Sequence, residues 1–302
     1  MTLSSTTSTT TPSSQQPLPS PPFVFPNARI LYQPTLVRVD AASVVTPTSS
    51  GLTLLSVFGW TLGGVFAVEW TSSPIGPYRE VAVLSGLVYK DFGIGAWASH
   101  IVVTTPEAVE AGRELFGLPA TLGTLEFTAG GSDGAGRADD PSGVALLAGS
   151  FLDLLKSIAV ALKTVAGTAA PGTAEPSERL MRPPSPPDTP VTFTFASDDS
   201  VTVEGWDGWS ETPQTPAEGG EEGFVVSLPS FSGCLSDDDS PLLRYPLSLG
   251  GARSVRLRPA ATTIPSCGFL SKGVRSVLGG PCACPCIQVD GVRVVAGRPV
   301  GS

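Results

Sequence analysis

Short apolar runs broken by Gly, Pro and Ser set the rhythm of the first half of the chain. Residues 52–58, 65–70, 81–89 and 101–103 have strand length and are rich in Val and Leu. Several are apolar at consecutive rather than alternate positions, which implies burial on both faces. The pattern turns helical after Thr105, which suits an N-cap, with Pro106 at the first helical position, Glu107 complementing the dipole, and Gly117 followed by Pro119 as a stop. The spacing predicts a helix over Pro106–Phe116, with Leu118, Pro119, Ala120 and Thr121 forming a tight connection to the next strand.

Beyond residue 128, Gly, Ala and Asp dominate up to Ser142. Leu147, Phe151, Leu154, Ile158, Leu162 and Val165 then recur at helical spacing, with Asp153, Lys156 and Lys163 on the other side. This predicts an amphipathic helix near 144–166, too polar to span a membrane, packed on the core or capping an insertion. Residues 169–190 are Pro-rich and 210–223 acidic and rich in Pro and Gly, both reading as linker, and strand-like patterns return at 191–195, 224–228, 254–257 and 287–295. The expected organisation is a disordered Ser/Thr/Pro tail over 1–22 and one domain over 23–300, with insertions at about 129–190 and 208–223.

Charge narrows the function classes. The formal net charge is −9, and no Lys or Arg lies between Arg182 and Arg244, a stretch that holds 12 of the 27 acidic residues. A chain without a basic patch has nothing to neutralise a phosphate backbone, so no nucleic-acid partner is expected, and anionic membrane surfaces are disfavoured likewise. The five cysteines all lie beyond residue 233, and their odd count does not suggest a disulfide-stapled secreted domain. The first 28 residues carry no charge and lack an apolar core, so they do not read as a secretory signal. They resemble a plastid transit peptide in having no acids but depart from one in having no Arg; a tail is the favoured reading, and plastid or cytoplasm stays open.

Few motifs carry chemistry. Cys282, Cys284 and Cys286 are spaced by single residues, unlike the two-residue turn that brings thiolates to zinc, and the sole histidine, His100, is far from them in sequence. No metal and no cofactor are expected. Gly93-x-Gly95 lacks a phosphate-loop context, and His100 has no nucleophile motif beside it. Phe58, Trp60, Phe66, Tyr78 and Trp97 cluster around the strand-rich segment. Core packing accounts for them; lining a cavity is the alternative.

Three blocks in that segment carry a resemblance: Gly76-Pro77-Tyr78-Arg79-Glu80, then Ala96-Trp97-Ala98-Ser99-His100, then Gly112-Arg113-Glu114-Leu115-Phe116-Gly117-Leu118-Pro119. Their order resembles the acetoacetate decarboxylase superfamily, in which a Tyr-x-Glu element precedes a core strand and a Gly-Arg-Glu helix runs on to Pro-Lys-Lys-Leu-Gly. Leu31-Tyr32-Gln33, Val57-Phe58-Gly59-Trp60-Thr61-Leu62-Gly63-Gly64 and Leu228-Pro229-Ser230-Phe231-Ser232-Gly233 are most similar to its plant and algal neoxanthin-deficiency branch.

The resemblance implies a mainly β α+β fold, an antiparallel barrel or cone with a few helices around a central pocket, and a tendency to form homo-oligomers. It also implies pocket positions at Tyr78, Glu80, Trp97, Arg113, Leu118, Ala120 and Thr121. The family's mechanism needs a lysine amine kept neutral by a neighbouring ammonium so that it can form an imine with the keto acid; acetoacetate decarboxylase is itself the standard example of this device. Here Ala120 and Thr121 stand where the family has Lys-Lys, and neither side chain can form an imine. Only Lys90, Lys156, Lys163 and Lys272 exist elsewhere. Glu80 is the candidate catalytic residue, matching the family's acidic pocket position, with a structural pair to Arg79 or Arg113 as the alternative. The second pocket carboxylate falls near Val65, with Glu69 close by.

The expected function is therefore that of a non-decarboxylating protein required for, or accessory to, neoxanthin formation. It would bind an apolar small molecule, a carotenoid or lipid, beside a carotenoid-pathway enzyme. A lyase or isomerase using Glu80, or a decarboxylase with a relocated lysine, are the alternatives.

Overall fold

The computed structural model describes residues 17–47, 51–90, 93–128, 190–196, 200–206, 226–232, 243–250, 254–258, 260–264, 272–279 and 286–301. The expected helix near 144–166, both expected insertions in their interiors, and Cys282 and Cys284 lie outside these residues. In chain order, β1 (Phe23–Arg38) runs into α1 (Val39–Val44), followed by β2 (Thr53–Leu54), β3 (Trp60–Trp70), β4 (Tyr78–Lys90) and β5 (Gly93–Val103). Next come α2 (Pro106–Phe116), β6 (Ala120–Leu122), β7 (Thr124–Thr128), β8 (Val191–Phe195) and β9 (Ser200–Glu204). The chain closes with β10 (Val226–Ser232), β11 (Leu243–Gly250), β12 (Ser254–Arg258), β13 (Ala260–Thr263), α3 (Lys272–Leu278), β14 (Cys286–Ala296) and β15 (Val300–Gly301).

The main sheet follows the order β14-β1-β3-β4-β5-β10-β11, and β11 pairs again with β14, so the ladder curls round on itself. Neighbours in this ring are antiparallel except β5 and β10, which meet in parallel at Ala96 and Trp97. The expected mainly antiparallel, barrel-like α+β fold is the one found. A second sheet of four strands, β13-β8-β9-β7, contains two parallel pairs, β13 with β8 and β7 with β9. No pattern in the sequence announced it.

The consecutive apolar runs now have their cause. From β3, Phe66, Val68 and Trp70 face one side of the sheet, where Phe23, Phe25 and Phe116 lie, while Val65 and Ala67 pack on the other with Phe193 and Val203 of the second sheet. Both faces of the strand are covered, so alternation disappears.

Residues 52–58, expected as one strand, are mostly not. Thr53 and Leu54 pair with β4, the Leu55 amide adds one bond to the Leu87 carbonyl at 2.9 Å, and Val57 and Trp60 exchange backbone hydrogen bonds of 2.8 and 3.0 Å around Phe58 and Gly59. Both central residues have positive φ, 51° and 82°, the signature of a tight primed hairpin turn. Phe58 is thereby carried to the tip, 97% exposed.

The helix expected over Pro106–Phe116 is present with those bounds. The Thr105 hydroxyl accepts from the Ala108 amide at 3.3 Å, and Gly117 takes the left-handed conformation at φ 61° that ends the helix. No helix among the described residues is long and apolar enough to cross a membrane.

Candidate functional site

The exit of α2 builds the site. Its last turn closes through the Gly117 amide on the Arg113 carbonyl (3.2 Å) and the Leu118 amide on that of Gly112 (2.8 Å). Arg113 Nε then donates to the Ala120 carbonyl at 2.7 Å, clamping the connection back onto the helix. Ala120 is also fixed by β6, which pairs parallel to β5 with Ala120 opposite Ile101. A methyl added at Gly112 would meet the Ala120 methyl at 3.1 Å, so small residues set how closely the helix approaches the sheet.

Between this exit and the inner face of the curled sheet lies a partly open cavity of about 120 Å³. Aromatic rings form much of its wall. Phe25 stacks on Trp70 at 4.1 Å between centroids, and Phe116 meets Phe23 at 5.4 Å and Tyr245 at 5.2 Å, both edge-on. The remainder is aliphatic, including Ile30, Ile101, Val103 and Val294. Among the described residues, the lining side chains that carry polar atoms are Glu80, Tyr78, Tyr245 and Trp70.

Glu80 accepts from Trp70 Nε1 at 3.1 Å. Burial among apolar walls pushes its pKa up, and the indole hydrogen bond acts the other way. Burial, and then the proximity of Glu80 and Tyr245, hold the Tyr78 hydroxyl well above its usual range. Burial favours the protonated form of the carboxyl, and in that form Glu80 can donate a hydrogen bond or a proton.

A stability change follows from that shift. Because the folded chain holds the Glu80 proton more tightly than the unfolded chain, stability is lost as pH rises from the ordinary carboxylate value through the raised one. Glu80→Gln keeps an oxygen for Trp70 but never ionises. It should raise the melting temperature by a few degrees at pH 8 and leave it unchanged near pH 4, as read from thermal unfolding across that range.

Of the positions named from the sequence, Tyr78, Glu80, Leu118 and Ala120 line this cavity. Arg113 serves the backbone clamp, and the Thr121 hydroxyl donates to the Ile101 carbonyl at 3.1 Å, so neither faces it. Trp97 is fully buried in a separate small cluster with Leu52 and Val88, its indole donating to the Val45 carbonyl at 3.1 Å. Among the five clustered aromatics, Phe66 joins Tyr78 in the wall; Phe58 is at the exposed turn, and Trp60 lies under Arg38. The alternative pairing of Glu80 with arginine is not made: Arg79 bridges Glu69 at 3.0 Å, and Val65 is packed on the other face of the sheet.

No lysine lines the cavity among the described residues. Lys90 is ten positions along β4 from Glu80, about 30 Å away at strand rise. Lys272 opens α3, and Lys156 and Lys163 lie outside the described residues. His100 touches the Ser99 hydroxyl at 3.1 Å away from the cavity, and burial lowers its pKa. No group of metal-binding side chains occurs among the described residues.

Trp70, Tyr245 and the Phe23, Phe25, Phe116 wall were missed from sequence. Trp70 sat in a recognised strand whose two covered faces hid its direction; Tyr245 comes from β11, brought in only by the curl of the sheet.

Three comparisons bear on this geometry. The model of the family described as Acetoacetate decarboxylase (ADC) matches residues 5–152. Protein NEOXANTHIN-DEFICIENT 1 of Oryza sativa subsp. japonica is 38% identical over 108 residues, covering 36% of this chain and 35% of that protein; the Solanum lycopersicum protein of the same name is 37% identical over 102 residues, 34% of each. The chain thus spans about a third of the length of these relatives. The crystal structure of acetoacetate decarboxylase from Legionella pneumophila superposes with a TM-score of 0.51 at 11% identity, over 97% of this chain and 92% of that one, a likeness of fold.

Proposed function

We propose that this chain, acetoacetate decarboxylase-like in family and in fold, acts in neoxanthin formation without decarboxylating, by holding an apolar ligand in its central cavity. The observation that carries the reading is Ala120 in the cavity wall where the family has a lysine. A methyl group cannot form an imine, so the electron sink that the decarboxylase chemistry needs is missing at that place. The walls favour an apolar guest over a small keto acid, and the relatives' name ties the matched segment to neoxanthin.

Removing the gene from its source organism should lower neoxanthin, measured by pigment chromatography, and the wild-type gene should restore it. Unchanged neoxanthin in the null strain would end the reading.

One observation favours a second reading, a lyase or isomerase. Glu80 is a carboxyl biased toward its neutral form, facing a cavity, which is what a general acid requires. Rescue of the null strain by Glu80→Gln separates the two: a holding role survives the change, whereas proton transfer through Glu80 does not.

A further inference from the structure

The dimensions and lining of the cavity define the part of a ligand that enters it. An apolar protein cavity of about 150 Å³ holds one benzene ring, and sites that enclose a whole drug-sized molecule run to about 300–1,000 Å³. At about 120 Å³, and partly open, this cavity encloses at most a single six-membered ring and not a long polyene. Whatever continues from that ring lies outside the enclosed space.

The lining decides the charge. No Lys, Arg or His contributes to the wall among the described residues, so a carboxylate or phosphate would be desolvated there with no counter-ion and with Glu80 nearby. A cation finds little better. The rings of Phe25 and Trp70 face each other, and those of Phe23, Phe116 and Tyr245 meet edge to face, so these aromatics are packed against one another. The carboxyl that would neutralise a cation is itself disfavoured as an anion by the same walls. What Glu80 and Tyr78 offer is hydrogen-bond donation, which an uncharged oxygen accepts.

We infer that the cavity is a subsite for one uncharged six-membered ring bearing a hydroxyl, ether or carbonyl oxygen, with Glu80 and Tyr78 positioned to donate to that oxygen. This rests on the reading that the cavity holds a ligand, and it adds the chemical class and the portion enclosed. Titration enters as a consequence. Among the described residues, the polar side chains that share the wall with Glu80 are Trp70 from β3, Tyr78 from β4 and Tyr245 from β11; β1, β5, β14 and α2 contribute only apolar side chains. Ionisation of Glu80 therefore removes a donor and places a charge in the subsite, and no described cationic side chain lines it to compensate.

Three probes of one shape test this on the full chain: cyclohexanol, cyclohexanecarboxylate and cyclohexylammonium, titrated by ligand-observed NMR at pH 6. Cyclohexanol should bind at least tenfold more tightly than either ion. Its affinity should fall as pH rises through the Glu80 ionisation in the wild type and stay level in Glu80→Gln. Equal or tighter binding of either ion, no binding of cyclohexanol, or the same pH profile in both proteins overturns the assignment. Failure here is distinct from failure of the proposed function. Cyclohexanol binding with normal neoxanthin in the null strain would sink the pathway role alone, and tight carboxylate binding with lowered neoxanthin would sink the ligand class alone.

Discussion

Ala120→Lys should place an amine in a cavity wall to which no described residue contributes one: incubated with acetoacetate and cyanoborohydride, the variant gains a ketone-derived adduct at residue 120, at least tenfold above wild type by peptide mass spectrometry. Position 120 lines the cavity, and its backbone is fixed by the Arg113 clamp and by pairing with Ile101, so a longer side chain extends into the enclosed space. An amine surrounded by apolar walls has its charged form penalised, which leaves the neutral nucleophile available near pH 7. The same burial destabilises the fold by about 1–3 kcal/mol, the usual cost of a poorly satisfied polar group. Position 121 is different. Its hydroxyl is spent on the Ile101 carbonyl and does not face the cavity, so Thr121→Lys should give no such adduct. A folded Ala120→Lys that stays unlabelled would show that the cavity does not admit the keto acid to this wall.

Asp290→Ala should cost about 3–5 kcal/mol, the range for removing one partner of a buried ion pair. Asp290 on β14 accepts from Arg29 Nε of β1 at 2.6 Å, with side-chain exposures of 16% and 9%. Its other oxygen accepts from Gln288 Nε2 at 2.8 Å, and Gln288 Oε1 in turn accepts from Arg258 at 2.8 Å. Arg258, 1% exposed, also donates to the Gly205 carbonyl at the end of β9, while Arg29 lies 5.4 Å from the ring of Trp206. These contacts tie three strands of the curled sheet to the second sheet. Without the carboxylate, Arg29 keeps its charge in a buried site and Gln288 loses an acceptor. Urea unfolding should show the midpoint falling sharply with the m-value unchanged, and Asp290→Asn, which keeps the shape, should cost less. A loss below 1 kcal/mol for Asp290→Ala would mean that the pair is effectively solvated.

What could be read from the chain depended on whether its cause was local. The α2 helix was legible to the residue because Thr105, Pro106, Gly117 and Pro119 act on their own backbone and neighbours. Strands at 81–89 and 191–195 were legible because their runs of Val, Phe and Thr are bounded by turn formers. β1 was not, although it is 16 residues long. Pro26 falls at a register irregularity between Phe25 and Ala28, and Pro34 lies beyond Tyr32, where pairing with β14 ends, so it has a partner strand on one side alone, at Gly64 of β3. Both prolines are tolerated for reasons visible only in the pairing. The turn at Phe58-Gly59 was hidden for a related reason, since a bulky residue stands where Asn or Asp usually accepts positive φ.

The site was legible where contiguous sequence carries it and obscure where the fold assembles it. Tyr78, Glu80 and Ala120 come from contiguous blocks. Trp70, the hydrogen-bond partner of Glu80, and Tyr245, 165 positions beyond it in sequence, are brought in by strand register and by closure of the ladder through β10 and β11. The second sheet illustrates the same limit, for its parallel pairs join Thr124 to Ser200 and Val191 to Ala260.

Reductive trapping of the wild-type chain with acetoacetate, mapped over Lys90, Lys156, Lys163 and Lys272, bears most directly on the proposal that the chain forms no imine. The expected result is no adduct at any of the four above the level given by the unfolded chain. A single lysine labelled to completion in the folded protein, and protected by a competing keto acid, would show that the amine had moved rather than vanished.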